Sequence, residues 1–184
     1  VGMATVPLAW TDAAPRELTG GAVTVGNFDG VHRGHRELVA AARRWGDRVG
    51  GPAVVVTFDP PPAAVLYPRP DKATPLTTLA DRAGLLHQAG ADHVVVLRAD
   101  AGLLSLSPEA FFEDVLAGLL GAKAVVEGYN FRFGRGREGD TARLRALCAE
   151  TGVGFEEVPA LVVSGEPVSS SRVRAALVAG DVTH

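Results

Sequence analysis

Residues 22–39 read Ala22-Val23-Thr24-Val25-Gly26-Asn27-Phe28-Asp29-Gly30-Val31-His32-Arg33-Gly34-His35-Arg36-Glu37-Leu38-Val39. A short β-branched run ends in a turn of Gly, Asn and Asp, and a helical pattern begins directly behind it, so a strand feeds a helix in one βα unit. The alternation continues outward along the chain. Strand-like runs lie at Ala22 to Gly26, Ala53 to Phe58, His93 to Leu97, Lys123 to Glu127 and Phe155 to Val158. Helical patterns lie between them at Gly34 to Trp45, Leu79 to Ala89, Pro108 to Leu120 and Thr141 to Thr151, with a last one from Ser171 to Ala179. Val54-Val55-Val56 and Val94-Val95-Val96 are apolar on both faces, as parallel strands covered by helices on both sides must be. Ser107-Pro108-Glu109 supplies an N-cap followed by Pro at the first helical position, and Gly46, Gly90, Gly121, Gly152 and Gly180 follow helical stretches as C-cap glycines would. The expectation is an α/β fold, a doubly wound, mainly parallel sheet of five to six strands with helices on both faces. Such sheets bind ligands beyond the carboxyl ends of their strands. Chemistry is therefore expected in the loops after Gly26, Phe58 and Glu127, two of which are the proline-rich stretch Asp59 to Pro75 and the Gly- and Arg-rich stretch Gly128 to Asp140.

Composition bounds what those loops can hold. The chain has 184 residues, 47% of them hydrophobic, and 18 Lys+Arg against 21 Asp+Glu give a net charge of −3. One domain of ordinary size is expected, spanning 1–184. There is no global basic field for nucleic acid and no polybasic segment for a membrane surface. No apolar run is long enough to span a bilayer, and the single Cys148 excludes an internal disulfide and any multi-cysteine metal centre. A cytoplasmic protein acting on small molecules, without nucleic-acid or membrane partners, is the expectation.

Charge placement is more informative than charge total. Helix N-termini carry about half a positive charge, which favours acidic side chains in the first turn. The helices starting near Leu79 and Pro108 obey this with Asp81 and with Glu109, Glu113 and Asp114. Two others invert it, the first through His32-Arg33-Gly34-His35-Arg36 and the last through Ser170-Ser171-Arg172-Val173-Arg174. Cations gathered at a positive helix end are balanced by a multiply charged anion, and a nucleoside triphosphate fits, since backbone N–H groups, dipole and basic side chains then converge on one ligand. Arg side chains that simply reach solvent are the alternative.

The turn Gly26 to His35 matches neither the P-loop pattern nor the dinucleotide GxGxxG pattern. His32-x-Gly34-His35 instead resembles the HxGH signature of the α/β-phosphodiesterase nucleotidyltransferases, although two histidines at this spacing also fit one half of a metal site. Further strings occur in order: Val25 to His32, then Thr57-Phe58-Asp59-Pro60, then Gly128-Tyr129-Asn130-Phe131-Arg132-Phe133-Gly134, then Val168-Ser169-Ser170-Ser171-Arg172-Val173-Arg174. Together they resemble the adenylyltransferase module of prokaryotic bifunctional FAD synthetases over residues 20–181, which implies a Rossmann-like fold and transfer of AMP from ATP to FMN with release of pyrophosphate. FMN already carries an ionised phosphate, so no strong base has to create the nucleophile, and positioning and charge neutralisation dominate.

The resemblance implies catalytic roles for His32, His35, Ser170, Ser171 and Arg174, and nucleotide contacts from Gly26, Asn27, Phe28, Gly30, Gly34 and Arg172. It implies flavin contacts from Phe58, Asp59, Phe111, Asn130, Phe131 and Phe133, and Mg²⁺ bridging ATP oxygens with no protein ligand assigned. Ordinary N-capping also accounts for the serines, and packing under the sheet also accounts for the phenylalanines. Three departures stand out: Pro61 where the family commonly has His, Ser171 where it has Thr, and Pro167 where a basic residue is common. The chain stops at His184 where the family continues into a riboflavin kinase domain, so that domain is expected to be absent here. A relative using another phosphorylated acceptor and an inactive nucleotide-binding homologue are the competing readings.

Overall fold

A computed structural model describes residues 2–68 and 75–181. Six strands form one parallel sheet: β1 (Ala4–Leu8), β2 (Ala22–Val25), β3 (Ala53–Phe58), β4 (His93–Leu97), β5 (Ala124–Gly128) and, after two short hairpin strands β6 (Arg132–Phe133) and β7 (Gly139–Asp140), β8 (Gly154–Val158). Their spatial order is β1-β4-β3-β2-β5-β8. The chain winds outward from β2 through β3 to β4, then returns across the sheet to place β5 on the other flank of β2. That reversal makes the gap between β2 and β5 the switch point, where a doubly wound sheet opens to a ligand.

The helices cover both faces. One face carries α1 (Arg33–Val49) and α3 (Leu79–Gln88), which pack Val39 and Leu86 against Val55, Val94 and Val96. On the opposite face, Phe112, Val115 and Leu116 meet Val54, Val56, Val95 and Val125, with Leu144 of α6 (Thr141–Thr151) beside them. Alternate residues of one strand thus feed two separate cores. Fully burying a Val contributes about 1.5–3 kcal/mol relative to leaving it exposed, so β3 and β4, buried along nearly their whole length, anchor the sheet.

All five expected strands form, each within a residue or so of its expected bounds. The sixth, β1, carried no strand signal. It lies at the sheet edge with alternating partial exposure and pairs only with β4, where Pro7 is tolerated because an edge strand has an unpaired side. Gly46 does not end the first helix. It is buried inside α1, where an added Cβ would lie 2.8 Å from the Gly51 carbonyl, and the helix ends instead at Gly50 in the left-handed region. The stretch Pro108 to Leu120 starts as one α-turn, α5 (Pro108–Ala110), after a further short helix α4 (Ala101–Ser105), and continues as a π-helix over Phe111–Leu119. The expected loop from Asp59 holds a short helix, α2 (Pro62–Leu66), and its residues 69–74 lie outside the described residues. A hairpin of β9 (Val162–Val163) and β10 (Glu166–Pro167) leads into the last helix, α7 (Ser170–Ala179).

Candidate active site

β2 ends beneath the switch point and runs into a strained turn. Phe28 and Val31, neither a glycine, have φ of 48° and 38°, and Gly30 has φ of 80°. Left-handed backbone at a β-branched residue persists only where surroundings enforce it, and such outliers cluster at functional turns. Here the Phe28 side chain is fully buried in the core under α1. Thr57 Oγ1 donates to the Asn27 carbonyl (3.1 Å), and the Val31 N–H to the Phe28 carbonyl (3.1 Å). At Gly30 a Cβ would sit 2.8 Å from Leu76 Cδ1.

The turn delivers His32 to the N-cap of α1, where its Nδ1 accepts the His35 N–H at 3.3 Å. An accepting Nδ1 in a neutral ring places the proton on Nε2, so capping sets the tautomer and leaves Nε2–H as a donor. The His35 ring stacks on His32 with centroids 3.6 Å apart, and the edge of Phe28 closes its far side at 5.0 Å. Burial and the neighbouring His32 push the His35 imidazole down to about 3, against a small upward pull from Asp29. Burial also lowers His32. Both rings are neutral at pH 7, and one turn of α1 offers free N–H groups beside them.

Asp29 ties two distant segments, residues 76–77 and the start of α7, to this turn. Its Oδ1 accepts from the N–H groups of Leu76 (2.9 Å) and Thr77 (3.2 Å) and from Thr77 Oγ1 (3.3 Å), while Oδ2 accepts from Arg174 Nη2 at 2.5 Å. The Asp29 carbonyl accepts from Ser170 Oγ at 2.8 Å. Burial works to raise the Asp29 carboxyl, but those N–H groups and the charges of Arg174 and Arg82 outweigh it and hold it below the ordinary carboxylate value. The N-termini of α1 and α7 are thereby clamped side by side.

The sequence-expected residues separate into three groups. His32, His35, Ser170 and Arg174 come together around Asp29, with Gly26, Asn27, Gly30 and Gly34 in the backbone beside them. Ser171 is exposed and lines a groove with Arg174 and Ala175. Ser169 rather than Ser170 or Ser171 caps α7, accepting the Arg172 N–H, which frees Ser170 for Asp29. Arg172 turns to the β9–β10 hairpin, donating to the carbonyls of Val163 (3.1 Å) and Glu166 (3.0 Å) and pairing with the Glu166 carboxylate. Phe111, Phe131 and Phe133 form an aromatic cluster on the opposite face, with Phe131 stacked on Phe133 at 5.5 Å and Phe111 at 6.0 Å from Phe133. Phe133 and Phe111 are buried and Phe131 is half-buried, with Phe58 packed against the same core. Asp59 and Asn130 are exposed at the ends of β3 and β5.

Three groups carried no functional reading in the sequence. Asp29 lay in plain view within the motif, but nothing local signals its partners 47 and 145 residues away. Glu127 is 1% exposed and accepts the Val25 N–H at 2.7 Å. It fills the place where β2 and β5 stop pairing after Val23 and Val125, and burial holds its carboxyl well above the usual range. Arg82 is 5% exposed on α3. Its signal was a cation inside the apolar stripe formed by Leu79, Ala83 and Leu86.

Among the described residues no group of three or more His, Cys, Asp and Glu can hold a metal ion, and no helix is long and apolar enough to cross a membrane.

Residues 14–172 match the family model described as FAD synthetase. The chain is 37% identical over 165 residues to the bifunctional riboflavin kinase/FMN adenylyltransferase of Escherichia coli (strain K12), covering 89% of this chain and 51% of that protein. It is 36% identical to the protein of the same description from Pseudomonas fluorescens, covering 90% and 52%. Among solved structures it is similar to one described as a macrolide-efflux protein from Streptococcus pneumoniae, with TM-score 0.85 and 27% identity over 97% of this chain and 57% of that one. The chain thus spans about half the length of the curated relatives it matches.

Proposed function

The chain belongs to the FAD synthetase family, and from that membership we propose that it transfers AMP from ATP to the phosphate of FMN, giving FAD and pyrophosphate. One observation carries the reading at the level of residues. Two helix N-termini, a stacked pair of neutral imidazoles and Arg174 converge at the β2–β5 switch point, with an aromatic cluster beyond the end of β5.

In this reaction a phosphate oxygen of FMN attacks the α-phosphorus of ATP, a new P–O bond forms, and the bond to the bridging oxygen of the β-phosphate breaks. The acceptor is already anionic, so no proton has to be removed. Mg²⁺ brought in with ATP would neutralise part of the phosphate charge, and no cluster of His, Cys, Asp and Glu among the described residues is arranged to hold it. His32 Nε2–H and the first-turn N–H groups of α1 donate to the α-phosphoryl oxygens. The N-terminus of α7, with Ser170, Ser171 and Arg174, takes the pyrophosphate. Neutral imidazoles suit this role, because they donate hydrogen bonds whose strength grows as charge develops and do not hold the product as a fixed cation would. Phe131 and Phe58 offer apolar edges to the isoalloxazine, with Asp59 and Asn130 at its rim. We place the activity in the cytoplasm, with FMN delivered by a riboflavin kinase such as the one named in the relatives.

Purified protein incubated with FMN, ATP and Mg²⁺ is expected to give FAD and stoichiometric pyrophosphate, read by chromatography and a coupled pyrophosphate assay. Adenylylation of a different phosphorylated acceptor with none of FMN would refute the assignment.

A further inference from the structure

Arg82 is a cation almost completely removed from water, and it has no carboxylate within ion-pair distance among the described residues. Among the described residues its hydrogen bonds run from Nη1, to Thr57 Oγ1 at 3.1 Å and to the Phe58 carbonyl at 3.5 Å. Its Nε–H is buried without an acceptor among the described residues. The side-on edge formed by Nε and Nη2, which grips a carboxylate or phosphate with two parallel bonds, is therefore unused. Leaving a buried guanidinium unneutralised is costly, and a site that keeps one has an anion to receive.

Its position says which anion. Thr57 passes the Arg82 contact on to the Asn27 carbonyl in the β2–α1 turn, so the guanidinium lies against the β3 flank of the site, under Phe58. The clamped ends of α1 and α7 lie on the other flank, held through Ser170 and Arg174 to Asp29. In a phosphoryl-type displacement the attacking and leaving oxygens are opposed across the reacting phosphorus. If the α1–α7 flank receives pyrophosphate, the incoming phosphate approaches from the flank of Arg82.

We propose that Arg82 is the recognition residue for the phosphate of the flavin acceptor, discriminating FMN from the unphosphorylated flavin. This rests on the AMP-transfer reading above. The charge is also felt at Asp29, so binding an anion at Arg82 and ordering the turn are coupled.

The test is flavin binding by fluorescence quenching, with FMN and riboflavin titrated separately against wild type, Arg82→Met and Arg82→Gln, alongside ATP binding and thermal melting. Wild type is expected to prefer FMN over riboflavin by about tenfold or more, the worth of a charge-assisted bond. Both variants should lose that preference by weakening FMN binding alone, with ATP affinity unchanged. Arg82→Gln keeps a donor for Thr57, and Arg82→Met removes the buried charge, so the melting temperature of the latter should hold or rise. Three results overturn the proposal: an unchanged FMN preference in folded variants, a loss confined to ATP, or collapse of both variants, which would make Arg82 a cap on β3. A wild type that binds FMN through its phosphate yet forms no FAD would refute the transfer reading and leave the Arg82 assignment standing.

Discussion

Asp29→Asn isolates the clamp between α1 and α7. Asn keeps an Oδ1 that accepts from Leu76 and Thr77, so the change removes the bond to Arg174 and the negative charge and little else. Fully exposed ion pairs contribute about 0–1 kcal/mol and breaking a buried one costs about 3–5 kcal/mol. The Asp29 and Arg174 side chains are 15% and 29% exposed, between these limits, which places the loss at about 2 kcal/mol. For a domain of this size that is a fall of roughly 4–8 °C in melting temperature. Denaturant unfolding gives the free energy, and a cycle with Arg174→Met should return a coupling of about 1–2 kcal/mol. The pH dependence carries a sign. The folded carboxyl lies below the ordinary value, so its stabilisation is complete above the unfolded pKa near 4 and is lost as pH falls through the lower folded one. Wild type and variant should therefore converge in acid. A difference under about 0.5 kcal/mol at pH 7, or one that persists unchanged at pH 3, would refute the clamp.

Other side chains of the site and the core give further expected outcomes. His32→Ala removes both the α1 cap and the Nε2–H donor, so it should cost about 1 kcal/mol of stability in addition to turnover. His32→Asn keeps a cap and should lose turnover alone, as steady-state FAD formation and melting will separate. His35 titrates near 3 and His93 is also lowered by burial, so both bind protons more readily unfolded. Stability should be full above about pH 6.5 and decline as pH drops below it, by up to about 1.4 kcal/mol per pH unit for each group. Since neither ring nitrogen of His93 has a hydrogen-bond partner among the described residues, His93→Leu should raise stability at neutral pH and flatten the acid decline seen by urea titration at pH 7.5 and 5. Gly134 has φ of 73° and an added Cβ would lie 2.7 Å from Pro108 N. Gly134→Ala should therefore cost about 2–4 kcal/mol by strain and overpacking, with flavin binding weakened through Phe133. A melting temperature equal to wild type would contradict that geometry.

Legibility in the sequence tracked the range of the interaction. The βα alternation, the strand bounds and the His32–His35 pair were readable because each is set by residues within one turn or one strand. The inverted charge at the starts of α1 and α7 singled out two helix ends, yet nothing in the pattern showed that Asp29 brings them together. β1 escaped notice because an edge strand is only half apolar, and Gly46 misled because a glycine inside α1, placed there by the close approach of residues 51–53, looks in sequence like a helix end. The serines illustrate the same limit: Ser170 and Ser171 read as caps, and only the fold gives the cap to Ser169 and leaves Ser170 to bond Asp29.

Local sequence was enough to settle the α/β class, the family strings and the turn that carries the two imidazoles, since propensity, apolar period and capping are local properties. The electrostatics of the site arise only on folding. Asp29 finds Arg174 across 145 residues and Val25 finds Glu127 across 102, and whether a charged side chain ends in water, in an ion pair or sealed without a partner depends on what the folded sheet brings against it. Arg82 is an ordinary helix cation in the sequence. Burial against Thr57 and Phe58 is what leaves its Nε without a partner among the described residues.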